Sequence, residues 1–305
     1  MDRPLRLGTR GSPLALAQAR LVAQALCRAH GWTDDAIEIV PITTTGDVIQ
    51  DRPLAEVGGK ALWTKELDRC LTDGRTDFSV HSMKDVETIR PDMLRIAAML
   101  PRADPSDRLI GAESISTLPA QARVGTSSPR RSAQLLARRG DLKIVALRGN
   151  VATRIAKIER GEADATLLAA AGLDRLGMND VGHGIDVEDM LPAPSQGAIG
   201  VEVMAGNEDV RALIAAIDHD ATHDCVAAER QLLEALGGDC RSAVAAYARI
   251  DGGPIWLRAE LLAPDGSEVR HGEIRFGPDG HGAPAALAAR LLAEASPALR
   301  GMFGR

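Results

Sequence analysis

The sequence predicts an α/β protein of two similar lobes, followed by a small α+β C-terminal domain. Three observations predict it. Strands and amphipathic helices alternate over the first two-thirds of the chain, one strand–turn–helix pattern occurs twice, and the pattern changes after about residue 218. Residues 7–18 read LGTRGSPLALAQ and residues 124–134 read VGTSSPRRSAQ. Each has an apolar residue, Gly-Thr, polar residues, Ser-Pro and then a helical run. Two turns of the same chemistry, far apart in the chain, point to two lobes whose helix starts face one cleft.

The second copy, with the helix that follows it, is an anion clamp in its chemistry. A helix start leaves backbone N–H groups unpaired at the positive end of the macrodipole, so a carboxylate finds donors and favourable charge together. Pro129 fits the first helical position, where its missing N–H costs nothing. Thr126, Ser127 and Ser128 add hydroxyls, and Arg130 and Arg131 add planar forks that grip carboxylates bidentately. An ordinary capped helix with a solvated basic face is the plainer alternative.

In chain order, Leu5–Gly8 reads as a strand, Thr9 to Ser12 as its turn, and Pro13 to about Ala29 as a helix buried along Leu14, Ala17, Leu21 and Ala25. Ala36–Ile42 alternates as a strand does. Residues 43–60 keep no period and read as a long loop, a candidate lid. Ala61–Leu71 is helical in pattern. Asp77–His81 is a compact strand, and Ser82–Asp85 lies just beyond its end, where open α/β sheets place their chemistry. There His81 reads more readily as a packed histidine than as a catalyst, and Lys84 with Asp85 reads as either an exposed ion pair or a functional one. Among arginines, Asp85 is a lone carboxylate suited to stabilising a developing positive charge.

Leu94–Leu100 is the strand that leaves the first lobe, and residues 101–107, PRADPSD, read as a hinge. The second lobe continues with a strand over Leu142–Leu147, Arg148 just after it, and Arg154 early in the next helix. The strand and helix of GEADATLLAAAGLDRLG follow, with Arg175 near the close. LPAPSQGAIGVEV is the return crossing, bearing Gln196, and Ala198–Val203 rejoins the first lobe. The domains so delimited are 1–99 with 198–217, 104–193, and 219–305. In the last of these, the loop Gly237–Gly238–Asp239–Cys240 sets a sulfur among small residues beside Arg241, which favours thiolate. No adjacent base marks Cys240 as a hydrolytic nucleophile.

Composition narrows the function. With 45% hydrophobic and 26% charged residues the chain is globular, and no stretch approaches the length of a membrane span. Its start, MDRPLRLGTR, carries no secretory hydrophobic region, which places it in the cytoplasm. Its four cysteines have no metal-ligand spacing, so neither a metal nor a disulfide framework is expected. A net charge of −6 and 2% aromatics argue against nucleic acid. Yet 31 of 36 basic residues are arginine, enough to line a site for a polycarboxylate.

These motifs together resemble the porphobilinogen deaminase (hydroxymethylbilane synthase) family. TRGSPLALAQ, VGGKALWTKEL, VHSMKDV, VGTSSPRR, LRGNVATR, AGLDRLG, PSQGAIGVE and the GGDC loop occur in the family's order over nearly the whole chain. The resemblance implies three domains, the first two periplasmic-binding-protein-like with hinge crossings. It also implies a dipyrromethane cofactor joined by thioether to Cys240. The implied reaction is a transferase step of porphyrin and heme biosynthesis: four porphobilinogen units join head to tail with loss of ammonia, giving hydroxymethylbilane. Asp85 is the implied catalytic acid. Lys84, Asp85, Thr126, Ser127, Ser128, Arg130 and Arg131 are implied to hold the cofactor. Arg10, Ser12, Gln18, Arg148, Arg154, Arg175 and Gln196 are implied to hold the substrate. The implied state is a monomer, with neither nucleic acid nor membrane as partner.

Departures are few. Trp63 stands where the family often has phenylalanine, Ser195 where glycine is usual, and Asp239 precedes the cysteine, which raises its thiol pKa. Rival readings are a two-lobed anion-binding protein without catalysis and a cysteine hydrolase; the second lacks a base constellation.

Overall fold

A computed structural model describes residues 3–44, 64–239, 242–277 and 280–303. The expected lid at 43–60 and the start of the helix expected from Ala61 fall largely outside these, as do Trp63, Cys240 and Arg241. The chain forms two compact units, one of residues 1–103 with 198–223, the other of 104–197 with 224–305.

The first unit is built on β1 (Leu5–Arg10), α1 (Pro13–His30), β2 (Ile37–Ile42), α2 (Lys65–Thr72), β3 (Phe78–Ser82), β4 (Leu94–Met99), the returning β10 (Ile199–Met204) and α6 (Glu208–Ala215). Its sheet order is β2-β1-β3-β10-β4. β1 runs parallel to β2 and β3, and β10 runs antiparallel to both its neighbours. Leu7, Val22, Leu26, Phe78, Val201 and Ile214 fill the core between sheet and helices. α1 starts and stops where its sequence says: Ser12 caps it, Pro13 follows, and Gly31 ends it at φ +66°.

The second unit contains β5 (Asp107–Ile110), β6 (Arg123–Gly125), α3 (Pro129–Arg138), β7 (Lys143–Val145), α4 (Val151–Glu159), β8 (Ala165–Ala169), α5 (Ala170–Arg175) and β9 (His183–Ile185). Its sheet order is β7-β6-β8-β5-β9, with β6 parallel to β7 and β8, and β5 antiparallel to β8 and β9. Position for position this is the order of the first sheet: β6 stands for β1, β7 for β2, β8 for β3 and β5 for β10. The repeated Gly-Thr…Ser-Pro turn thus connects the same strand to the same helix in both sheets. The expected strand over Leu142–Leu147 is shorter, because Leu147 turns in under Gly125; a Cβ on that glycine would lie 2.8 Å from Leu147 Cδ2.

The unit also holds an antiparallel sheet, β11 (Val244–Ile250), β12 (Ile255–Leu262) and β13 (Val269–Phe276), in that order. α7 (Asp220–Ala235) and α8 (Ala283–Glu294) cover it over Leu232, Leu236, Leu257, Leu261, Leu287 and Leu291, and a short α9 (Pro297–Arg300) closes the described chain. The fold class is therefore mixed α/β, with two sheet-bearing lobes and a small C-terminal sheet.

Candidate functional site

In the first unit β1 and β3 end side by side, and each hands the chain to a helical turn. β1 delivers Arg10 and the cap Ser12, whose Oγ accepts from Ala15 N at 3.3 Å. β3 delivers His81 and Ser82, then a single 3-10 turn, Met83–Asp85. Arg10, Ser12, Gln18, His81, Ser82 and Asp85 line one cavity of ≈ 60 Å³. A cation, a helix start and a carboxylate on one wall suit a ligand with both acidic and N–H groups. Lys84, beside Asp85, is half-buried and does not line the cavity.

Two of these residues do more structural work than their sequence suggested. Gln18 is buried and exchanges hydrogen bonds with Ser82 at 2.8 and 3.0 Å, which ties α1 to the end of β3. His81 is buried, as its strand position suggested, but it also lines the cavity, and its Nε2 meets Glu202 at 3.1 Å. Glu202 is fully buried on β10 and also accepts from Arg90 Nε at 2.8 Å and Nη2 at 2.9 Å. Burial alone would raise the Glu202 pKa. The hydrogen bonds and charges of His81 and Arg90 overcome it and bring the carboxyl down to about 2, so it is ionised. Arg90 is in turn held by Glu87 at 2.7 Å and Asp68 at 2.5 Å.

In the second unit the Gly-Thr…Ser-Pro turn forms as its chemistry requires. Ser128 caps α3, accepting from Arg131 N at 3.4 Å; Thr126 Oγ1 accepts from Ser128 N at 3.1 Å; and Ser127 Oγ donates to Leu147 O at 3.2 Å. Arg130 and Arg131, whose forks the motif suggested for a ligand, are both buried and grip an internal carboxylate, Asp107 at the start of β5. Arg131 does so bidentately, through Nη2 at 2.7 Å and Nε at 3.2 Å, while Arg130 Nη2 donates at 2.8 Å. Gln196, also buried, donates to the same carboxylate at 2.8 Å. Burial would raise the Asp107 pKa, but the charges of Arg131 and Arg130 hold it well below the usual carboxylate range. A second buried carboxylate, Glu260, accepts from Gln134 Nε2 at 2.6 Å and also acts on Arg130, whose Nε is sealed without a partner.

Arg175, at the end of α5, donates to Gly197 O at 2.6 Å, and burial lowers its pKa to about 10. Arg154 donates through Nε to Gly149 O at 2.9 Å, at a helix start capped by Asn150, and Arg148 lies half-buried just before it. Flanking the cysteine loop, Ser242 Oγ accepts from Asp239 N at 3.0 Å, and Ser242 N donates to Asp239 O at 3.0 Å.

Sequence reasoning missed Glu202, Arg90, Asp107 and Glu229. The available signal was a charged residue inside a segment expected to be buried, as in IGVEV. Glu229, buried on α7, accepts from Ser195 N at 2.6 Å and Ala248 N at 2.7 Å. Those bonds hold Ser195 at φ +67°, in the left-handed region that glycine adopts freely. The departure at Ser195 is thus one of backbone strain.

Comparison with known proteins gives the family. Residues 5–212 match the family model "Porphobilinogen deaminase, dipyromethane cofactor binding domain", and residues 223–293 match "Porphobilinogen deaminase, C-terminal domain". A porphobilinogen deaminase of Sphingopyxis alaskensis is 58% identical, over 99% of this chain and 97% of its own. One from Paracoccus denitrificans is 50% identical, over 92% of this chain and 91% of its own. Among solved structures, a periplasmic His/Glu/Gln/Arg/opine family-binding protein from Silicibacter pomeroyi, in complex with lysine, aligns over 70% of this chain and 88% of its own. It is 16% identical, with a TM-score of 0.38. At that distance the fold assignment rests on the sheet order itself. Matched over most of its length by these domain models and by close relatives, the chain belongs to the porphobilinogen deaminase family.

Proposed function

We propose that the chain joins four porphobilinogen units head to tail, with loss of ammonia, into hydroxymethylbilane, starting from a dipyrromethane held by thioether at Cys240. The observation that carries this reading is the cavity that sets Asp85 beside Arg10 and the Ser12-capped helix start, within a segment matching the family's cofactor-binding domain. The second unit fits an anionic pyrrole group. Arg175 is desolvated there, with no carboxylate bonded to it among the described residues.

When bound, the dipyrromethane supplies a tethered pyrrole carbon that keeps the acceptor within reach of each incoming unit. Lys84, Ser128, Arg130 and Arg131, with Thr126 and Ser127, hold its acetate and propionate groups. Arg10, Ser12, Arg148, Arg154 and Arg175, with Gln18 and Gln196, hold those of the substrate. For Arg130 and Arg131 the ligand would share guanidiniums already anchored on Asp107. Asp85 accepts from pyrrole N–H groups, assists departure of the amine and stabilises the azafulvenium cation that forms. The working division is three domains, 1–99 with 198–217, 104–193 and 219–305. The protein acts as a cytoplasmic monomer on a small molecule, without nucleic acid or membrane; its net charge of −6 repels a phosphate backbone.

Intact-mass measurement tests the reading. The purified protein should exceed its sequence mass by one dipyrromethane, and Cys240→Ser should abolish the excess. A wild-type mass equal to the sequence mass, in protein that makes no hydroxymethylbilane, overturns it in favour of anion binding without catalysis.

A further inference from the structure

The Asp85 cavity is lined by a titratable group with no role so far. His81 lines the cavity, and its Nε2 lies 3.1 Å from Glu202 Oε2. Glu202 is sealed from solvent, and Arg90 donates to both its oxygens, at 2.8 and 2.9 Å. A carboxylate gripped through both oxygens by Arg90 only accepts, so Nε2 must carry the hydrogen, and whenever the ring is neutral its lone pair lies at Nδ1. Among the described residues Nδ1 bonds to no protein group, and it is not one of the polar atoms sealed away without a partner. It is thus not sealed off, on a residue that lines the cavity. A buried carboxylate that fixes a histidine's tautomer, with the far nitrogen facing a reaction site, is the arrangement of a general base.

We propose that His81, oriented by Glu202, accepts the proton that the acceptor pyrrole loses when each new unit is joined. The inference rests on the reading of the reaction given above. In that reaction a C–C bond forms between the methylene carbon of the incoming unit, which has lost ammonia, and the free α-carbon of the acceptor ring. That α-carbon still holds its hydrogen. The C–H bond breaks, its electron pair returns to the ring, and the proton passes to His81 Nδ1 and then to solvent. Asp85, stabilising the cation, is thereby free to remain ionised through the step. The charged groups around His81 support this cycle. Glu202 on β10 stabilises the imidazolium, Arg90 with Glu87 and Asp68 keeps Glu202 ionised, and Arg10 and Asp85 face the same cavity.

His81→Gln keeps a donor toward Glu202 and removes the base. With cofactor loading verified by intact mass, H81Q should turn over about 10²-fold more slowly. The acidic limb of its kcat–pH profile should flatten, and α-deuterated porphobilinogen should show a larger isotope effect in H81Q than in wild type. A His81 that merely packs leaves the limb and the isotope effect as in wild type, and that result overturns the proposal. Should H81Q fail to fold, ¹⁵N NMR of the wild-type holoenzyme decides: neutral His81 must be the Nε2–H tautomer, and an Nδ1–H tautomer overturns it. Wild-type protein that makes no hydroxymethylbilane defeats the reading of the reaction. Active wild type with unaltered H81Q defeats the role of His81 alone.

Discussion

Replacing Glu202 by Gln removes the negative charge that both His81 and Arg90 contact in the first sheet. In the folded protein the Glu202 carboxyl is lowered from 4.5 to about 2. A shift of that size corresponds to about 3–4 kcal/mol of stability at neutral pH, since each pKa unit is worth about 1.4 kcal/mol. Independent measurements of breaking a buried ion pair give about 3–5 kcal/mol. Here the lower figure applies, because Arg90 keeps Glu87 and Asp68 as partners. A depressed carboxylate pKa stabilises the fold above the unfolded value and loses that contribution as pH falls through the folded one. The gap between wild type and E202Q should therefore be full from about pH 5 to 8 and fall to roughly half by pH 3. Urea midpoints for both proteins across that range measure it. A gap under about 0.5 kcal/mol at pH 7, or one that widens on acidification, would refute the reasoning.

Three further predictions follow from the same logic. Asp107→Asn strips the counter-charge from Arg130 and Arg131 and should destabilise the second unit by about 3–5 kcal/mol, read as a lower thermal midpoint and constant across pH 5–8. Ser195→Gly releases the strain at φ +67° while keeping the bond to Glu229, so it should be neutral to stabilising by up to about 1 kcal/mol; a clear loss of stability argues against strain there. Gly125→Ala drives a methyl against Leu147 beneath the α3 start and should cost about 1–3 kcal/mol, measured by denaturation, with cofactor retention followed by mass.

The fold was legible where physics is local. The repeated Gly-Thr…Ser-Pro turns forecast two equivalent strand–helix junctions, because an N-cap serine followed by proline encodes a helix start without help from the rest of the chain. The sheet order that makes those junctions equivalent is a long-range property, and no short stretch states it. The cavity residues Arg10, Ser12 and Asp85 were legible for the same local reason: they sit just past strand ends. What could not be read was which charge meets which. Asp107 lies in a segment that looks like a polar hinge, yet it is fully buried once β5 pairs with β8 and α3 swings two arginines onto it. The GTSSPRR stretch shows that its arginines can grip a carboxylate, and it does not show that one such carboxylate belongs to the chain itself. Likewise His81 looked like a packed strand residue until Glu202, over a hundred residues away, fixed its ring.

The central claim is that one carboxylate, Asp85, drives polymerisation in an otherwise cationic setting. Hydroxymethylbilane formation by Asp85→Ala protein, purified and compared with wild type at equal concentration, tests it most directly. Product formation should collapse by two orders of magnitude or more, about the scale of losing a main electrostatic group, while the fold persists. Near-normal product formation by that variant would contradict the account.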